Sequence, residues 1–175
     1  LQSWGIEVHR GLGTTGVVGI IKAGTSARAV GLRADIDALP MTEFNTFAHA
    51  SKHPGKMHAC GHDGHTAMLL AAAQHLSKNR HFDGTVYLIF QPAEEGAPEG
   101  ETGGAKQMLA EGLFADFKPE AVFGLHVHST VPVGQVGYRS GPFMAAADSF
   151  RIVVKGRQTH GARPWLGVDP IVAAS

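Results

Sequence analysis

A single cysteine, Cys60, is the only thiol in this 175-residue chain, so no internal disulfide can form. That usage suits a reducing, cytoplasmic setting. Neither sign of charge is in excess: Lys plus Arg and Asp plus Glu each number 15. A balanced chain gives no electrostatic reason to bind nucleic acid or an anionic membrane. No apolar run approaches the ~20 residues of a membrane span, and no charged start leads into an apolar stretch as in a secretory leader. What remains is a globular composition, 43% hydrophobic and 17% charged. Its length suits one sizeable core, or one domain plus part of another. The chain starts at Leu1 and finishes in "DPIVAAS", which reads as the opening of a helix. Both ends therefore read as cut, and the chain as a fragment.

Histidine is the residue in surplus, at 11. The segment "MHACGHDGH" (57–65) packs His58, Cys60, His62, Asp63 and His65 together. Gly61 lets the backbone fold so that Cys60 and His62 can face one point. A thiolate, imidazoles and a carboxylate suit zinc or another borderline divalent metal. The helix expected to follow, with Asp63 as its N-cap, would favour the thiolate form of Cys60.

The order of elements argues for an α/β fold with a mostly parallel sheet flanked by helices. "VVGII" (17–21), "AVGLRADID" (29–37), "TVYLIF" (85–90) and "AVFGLHV" (121–127) read as strands. The last two are apolar enough to be buried on both faces. Residues 64–77 carry Met68, Leu69, Ala72 and Leu76 at helical spacing, and 103–114 reads as a second helix. After residue 147 the pattern changes. "FRIVVKG" (150–156) reads as a half-exposed antiparallel strand, and "VDPIVAAS" as a helix start. The expected division is 1–147, part of a catalytic domain, and 148–175, the beginning of a smaller α+β lid or dimerisation domain.

Sites in open α/β sheets form beyond the carboxyl ends of the strands. Asp35 and Asp37, then Gln91, Glu94 and Glu95, then His126 and His128 all follow strands, and Cys60 and His62 precede a helix. In "QPAEEG" one glutamate can bind metal while its neighbour stays free as a general base. Glu99 and Glu101 read as a solvated acidic loop. Within a strand His126 and His128 would share a face. An aspartate such as Asp35 or Asp37 either orients a ligand imidazole or caps a strand end. His58 and His65 are weaker candidates, His49, His53, His75 and His81 read as surface residues, and His9 has no assignment.

Several long motifs in order, "LRADIDALPM", "MHACGHDGHTAML", "FQPAEEG", "GGAKQML", "FGLHV", "PVGQVGYRSGPFMA" and "THGARPWLGVDPI", resemble those of the M20 metallopeptidase family, in its amidohydrolase branch. The resemblance implies that Cys60, His62, Glu95 and His126 hold metal in a two-metal site and that Glu94 is the catalytic base. It places Asp37 beside the metals, and Asp35 where related branches carry a histidine ligand. It makes His160 a lid histidine that steadies the reacting carbonyl in the partner subunit of a homodimer. His128 and Trp165, near the expected substrate cleft, depart from the usual pattern, and the loop "GAPEGETGG" is longer than usual. A further histidine ligand of the family lies beyond this chain.

The implied activity is metal-dependent hydrolysis of N-acyl amino acids, with zinc or manganese, or cobalt or nickel, as the ions. An aminoacylase or dipeptidase of the same family, or a non-catalytic metal-binding protein of the same fold, are the alternatives. A free base at Glu94 separates the enzymes from the last.

Overall fold

The computed structural model describes residues 1–97, 100–146, 148 and 150–175. The boundary expected at Ala147 and the acidic Glu99 fall outside them. Two compact units are present, Leu1–Val133 and Gly134–Ser175.

The first unit is built on a five-stranded sheet of order β1-β2-β4-β3-β5. Its strands are β1 (Glu7–Arg10), β2 (Val17–Ala23), β3 (Ala29–Asp35), β4 (Gly84–Gln91) and β5 (Ala121–Gly124). β4, rich in β-branched and aromatic residues, is central. It pairs with β2 antiparallel and with β3 parallel, and β5 adds to β3 in parallel. The parallel character expected from the sequence thus holds for β4-β3-β5. β1 and β2 form an antiparallel hairpin that makes the sheet mixed. β1 had no signature in the sequence, because its four residues "EVHR" are almost wholly exposed and show no apolar alternation.

Side chains alternate across β4, so each face of the sheet acquires its own core. Val86, Leu88 and Phe90 join Ile6, Ile21 and Ala34 beneath Leu69 and Ala73 of α1 (His62–Lys78). Ile89, with Val18, packs on the opposite face against Met108 of α2 (Gly104–Ala110), Leu113 of α3 (Leu113–Asp116) and Phe117. Leu88 is completely buried, which stabilises the fold by about 1.5–3 kcal/mol for such a side chain. The single helix expected over 103–114 is broken at Gly112, whose φ of 101° interrupts the helical path.

α1 buries His62, His65, Leu69 and Ala73. These lie at spacings of three and four, so one stripe of the helix runs from core to sheet edge. Helix α1 starts two residues earlier than expected. Gly61, at φ 89°, is its N-cap, and Asp63 sits exposed inside the first turn without a capping bond.

The strand expected at 121–127 stops at Gly124, and it is exposed instead of buried: Phe123 and Leu125 are 60% and 58% accessible. Among the described residues no strand pairs with the outer edge of β5. No helix among them is long and apolar enough to cross a membrane.

In the second unit, residues 150–156 form no ladder. The pairing found there is one antiparallel bridge, Arg157 with Val168. The helix start is as expected. α4 (Pro170–Ala174) has Pro in its first turn, and the Asp169 side chain accepts from the Ile171 amide at 2.8 Å, a favourable N-cap.

Candidate metal centre

Asp35 and Gln91 are register partners at the carboxyl ends of β3 and β4. The site is assembled beyond this pair, from the loops after β3, β4 and β5 and the start of α1. The backbone after β4 turns sharply at Ala93, whose φ of 48° is unusual for a residue other than glycine. That turn presents Glu94 and Glu95.

His62 is the centre of the arrangement. Its Nδ1 lies 3.0 Å from the Asp37 carbonyl oxygen and 3.2 Å from Asp37 Oδ1. A carbonyl can only accept, so Nδ1 carries a proton, and in the neutral ring Nε2 is the nitrogen available to a metal. Among the described residues, buried Nε2 has no hydrogen-bond partner. Around it stand Asp35 Oδ2 at 3.6 Å, Glu95 Oε1 at 3.8 Å and Glu94 Oε2 at 3.9 Å. A buried ring nitrogen that faces three carboxylate oxygens and bonds none of them is placed to share a cation with them. The donor set therefore fits a divalent metal.

Asp37 uses its second oxygen to accept from the Glu95 amide at 3.0 Å. One carboxylate thus fixes both the ring of His62 and the backbone that carries Glu95. His126 lies in the chain beyond β5. Its Nδ1 donates to the Val127 carbonyl at 2.7 Å, leaving Nε2 as a second lone pair, 3.5 Å from Cys60 Sγ. Cys60, His62 and His126 can share one ion, and His62, Glu94 and Glu95 form a second such group.

The surroundings of Cys60 oppose the thiolate form that the helix start would favour. The Glu95 carboxylate as hydrogen-bond acceptor, burial, and the charges of Glu95, Glu94 and Asp35 together push the Cys60 thiol up to about 11.

A third group, Asp35, His62 and His65, is also close enough to hold an ion, but its histidine is committed. His65 Nε2 accepts from the Val127 amide at 2.9 Å, and Nδ1 donates to Asp35 Oδ1 at 2.6 Å. The sequence ranked His65 low. Its place three residues after His62, on the same helical face, was the available signal. Asp35 also accepts from Arg33 Nη1 at 2.9 Å, and the Arg33 guanidinium grips Gln91 Oε1 twice. Burial works to raise the Asp35 pKa, but the His65 hydrogen bond and the Arg33 charge outweigh it and hold the carboxyl below its ordinary value.

The other candidates have their own surroundings. His128, no longer in a strand, turns its Nδ1 to Thr130. His58, His49, His53, His75, His81 and Glu101 are exposed. His9 bonds Glu7 and packs edge-on against Phe117. In the second unit, His160 Nδ1 accepts from the Ala162 amide at 3.1 Å within a turn, and Trp165 is 74% accessible.

Residues 31–174 match the model of peptidase family M20/M25/M40. The chain belongs to this family. It is 47% identical to a hippurate hydrolase of Campylobacter jejuni across all of this chain and 44% of that protein. It is also 47% identical to the IAA-amino acid hydrolase ILR1-like 2 of Arabidopsis thaliana, across all of this chain and 38% of that one. The M20/M25/M40 chain described here thus spans less than half the length of these relatives. Among solved structures, it is similar to the Bacillus subtilis YxeP protein, a dinuclear metal binding peptidase from the M20 family. The TM-score is 0.72 at 41% identity, over 81% of this chain and 38% of that one.

Proposed function

We propose that this chain carries the greater part of the active site of a metal-dependent amidohydrolase that cleaves N-acyl amino acids to a carboxylic acid and a free amino acid. The observation that supports this most is the buried His62 Nε2 lone pair, unpartnered and facing Asp35, Glu94 and Glu95. The names of the relatives, hippurate hydrolase and IAA-amino acid hydrolase, both describe acylated amino acids as substrates.

Cys60, His62, Glu95 and His126 would hold the metal, as a pair of ions on the analogy of the dinuclear neighbour. Such ions supply Lewis acidity, polarising the scissile carbonyl and lowering the pKa of water. Asp37 orients His62 and Glu95. Glu94 is the more open of the paired glutamates, its side chain 43% accessible against 28% for Glu95. That suits a carboxylate that takes the proton of the attacking water and delivers it to the leaving amine. His160, by resemblance, steadies the charge developing on the carbonyl oxygen, and His128 and Trp165 contact substrate. We extend the reading to a catalytic domain over 1–147 and a lid domain from 148 onward. The assembly is a cytoplasmic homodimer formed through the lid, with zinc or manganese, or cobalt or nickel, at the site.

The test is metal analysis of the full-length protein with a hydrolysis screen of N-acyl amino acids. Stoichiometric divalent metal and chelator-sensitive release of free amino acid are expected. A protein that retains no metal through dialysis, or hydrolyses these amides equally in chelator, overturns the reading.

A further inference from the structure

His126 stands on a stretch with no regular structure. β5 ends at Gly124, and residues 125–128 belong to no helix or strand. A loop histidine needs something to hold it if its Nε2 is to stay 3.5 Å from Cys60 Sγ. Among the described residues, the backbone of 125–128 makes one hydrogen bond to another segment, from the Val127 amide to His65 Nε2 at 2.9 Å.

The histidine that receives that bond is itself fixed. His65 is 2% accessible and sits in the first turns of α1. An amide can only donate, so Nε2 must be unprotonated, and Nδ1 carries the hydrogen that goes to Asp35 at 2.6 Å. Asp35 is 1% accessible and is tied through Arg33 to Gln91. A continuous chain of bonds thus runs from the end of β4, through the end of β3 and the start of α1, to the residue beside His126. A second contact acts on the same residue: a Cβ at Gly61 would collide with Val127 Cγ2. Val127 is therefore held through both its amide and its side chain, against the loop that carries Cys60 and His62.

We propose that His65 is a positioning residue for His126, acting through the Val127 amide, with Asp35 fixing its tautomer. His65 itself gives no nitrogen to a metal. The proposal rests on the reading of His126 as a metal donor. A side chain aimed by rigid elements keeps its donor in place before the ion arrives. Partners that orient a ligand in this way typically contribute 10–100-fold in metal affinity.

The test compares wild type, His65→Gln and His65→Leu in the full-length protein. Glutamine, like the neutral imidazole, presents an acceptor atom and a donor atom on one planar group, and leucine presents neither. Nitrogen NMR of chelator-treated wild type should show His65 protonated at Nδ1 and bare at Nε2, and hydrogen exchange should find the Val127 amide protected. In His65→Leu that protection should disappear, and zinc affinity should fall about 10–100-fold. His65→Gln should recover part of both. Should the leucine variant not fold, the wild-type tautomer and the glutamine variant still decide. A proton on His65 Nε2, a zinc-induced shift showing that a His65 nitrogen coordinates, or a folded leucine variant with wild-type affinity and Val127 protection would each overturn the proposal. If wild type takes up no zinc, the metal reading fails separately, while the amide measurement still reports whether His65 holds the segment.

Discussion

A methyl group of Val127 occupies the space where Gly61 would carry a side chain. Gly61 lies between Cys60 and His62 and has φ 89°, a conformation that residues with a Cβ rarely adopt. Gly61→Ala should therefore act twice, by backbone strain and by pushing Val127 outward. Zinc binding should weaken at least tenfold, on the scale of losing an orienting contact, with circular dichroism close to wild type. Unchanged affinity would mean that the loop tolerates a wider approach than the packing implies.

Glu94→Gln removes the proton acceptor but leaves the surrounding donors. Turnover should drop by roughly 10²–10⁴-fold, with metal content retained. Cys60→Ser and His126→Ala should lower metal content, and His75→Ala should not, because His75 is exposed on the far part of α1. Near-normal turnover in the glutamine variant would remove Glu94 from the mechanism.

Asp37→Asn tests orientation. The amide has one oxygen where the carboxylate had two, so it cannot accept from both His62 Nδ1 and the Glu95 amide. Metal affinity should fall about 10–100-fold, visible by competition with a chromogenic chelator.

The Cys60 thiol has a pH signature. Its folded-state pKa, about 11, stands above the ordinary thiol value of 9.0. A raised pKa contributes stability that is complete below the unfolded value and is lost as pH rises through the folded one. The metal-free protein should thus lose stability between about pH 9 and 11, and Cys60→Ser should flatten that part of the denaturant-midpoint profile. Metal uptake below this range must release the thiol proton, so zinc affinity should climb with pH. Proton release measured by calorimetry in two buffers checks this.

His160→Ala should lower turnover by about 10²–10³-fold, as for loss of one oxyanion donor, with metal content intact. Steady-state kinetics beside metal analysis separate this from damage to the site.

Where apolar pattern and pairing agree, the sequence was a good guide. β4 has alternate residues buried against two different cores, and "TVYLIF" already carried that signal. Cys60, His62, Glu94, Glu95 and His126 were legible because each follows a strand or precedes a helix, and the structure draws them together. What escaped depends on partners distant in sequence. The lone pairs of His62 and His126 are set by backbone carbonyls that no motif displays. The committed state of His65 requires Asp35 and Val127, thirty residues before it and sixty-two after. The Cys60 thiol followed its acidic neighbours because they are nearer in space than a motif reading suggests. Residues 150–156 have strand composition, yet one bridge in the second unit supplies no ladder for them.

Among the described residues β5 is flanked by β3 on one side only, and its residues Val122 and Phe123 are open to water. Such a seam, with free amides and carbonyls beside bare hydrocarbon, is adhesive. In a concentrated solution of this chain alone, light scattering should reveal reversible clustering that grows with concentration. A lysine in place of Val122 should suppress it by introducing charge at the seam. Solubility of the isolated chain would then be governed by the four residues of this strand, and purification yield would report on the sheet's outer border rather than on the metal site.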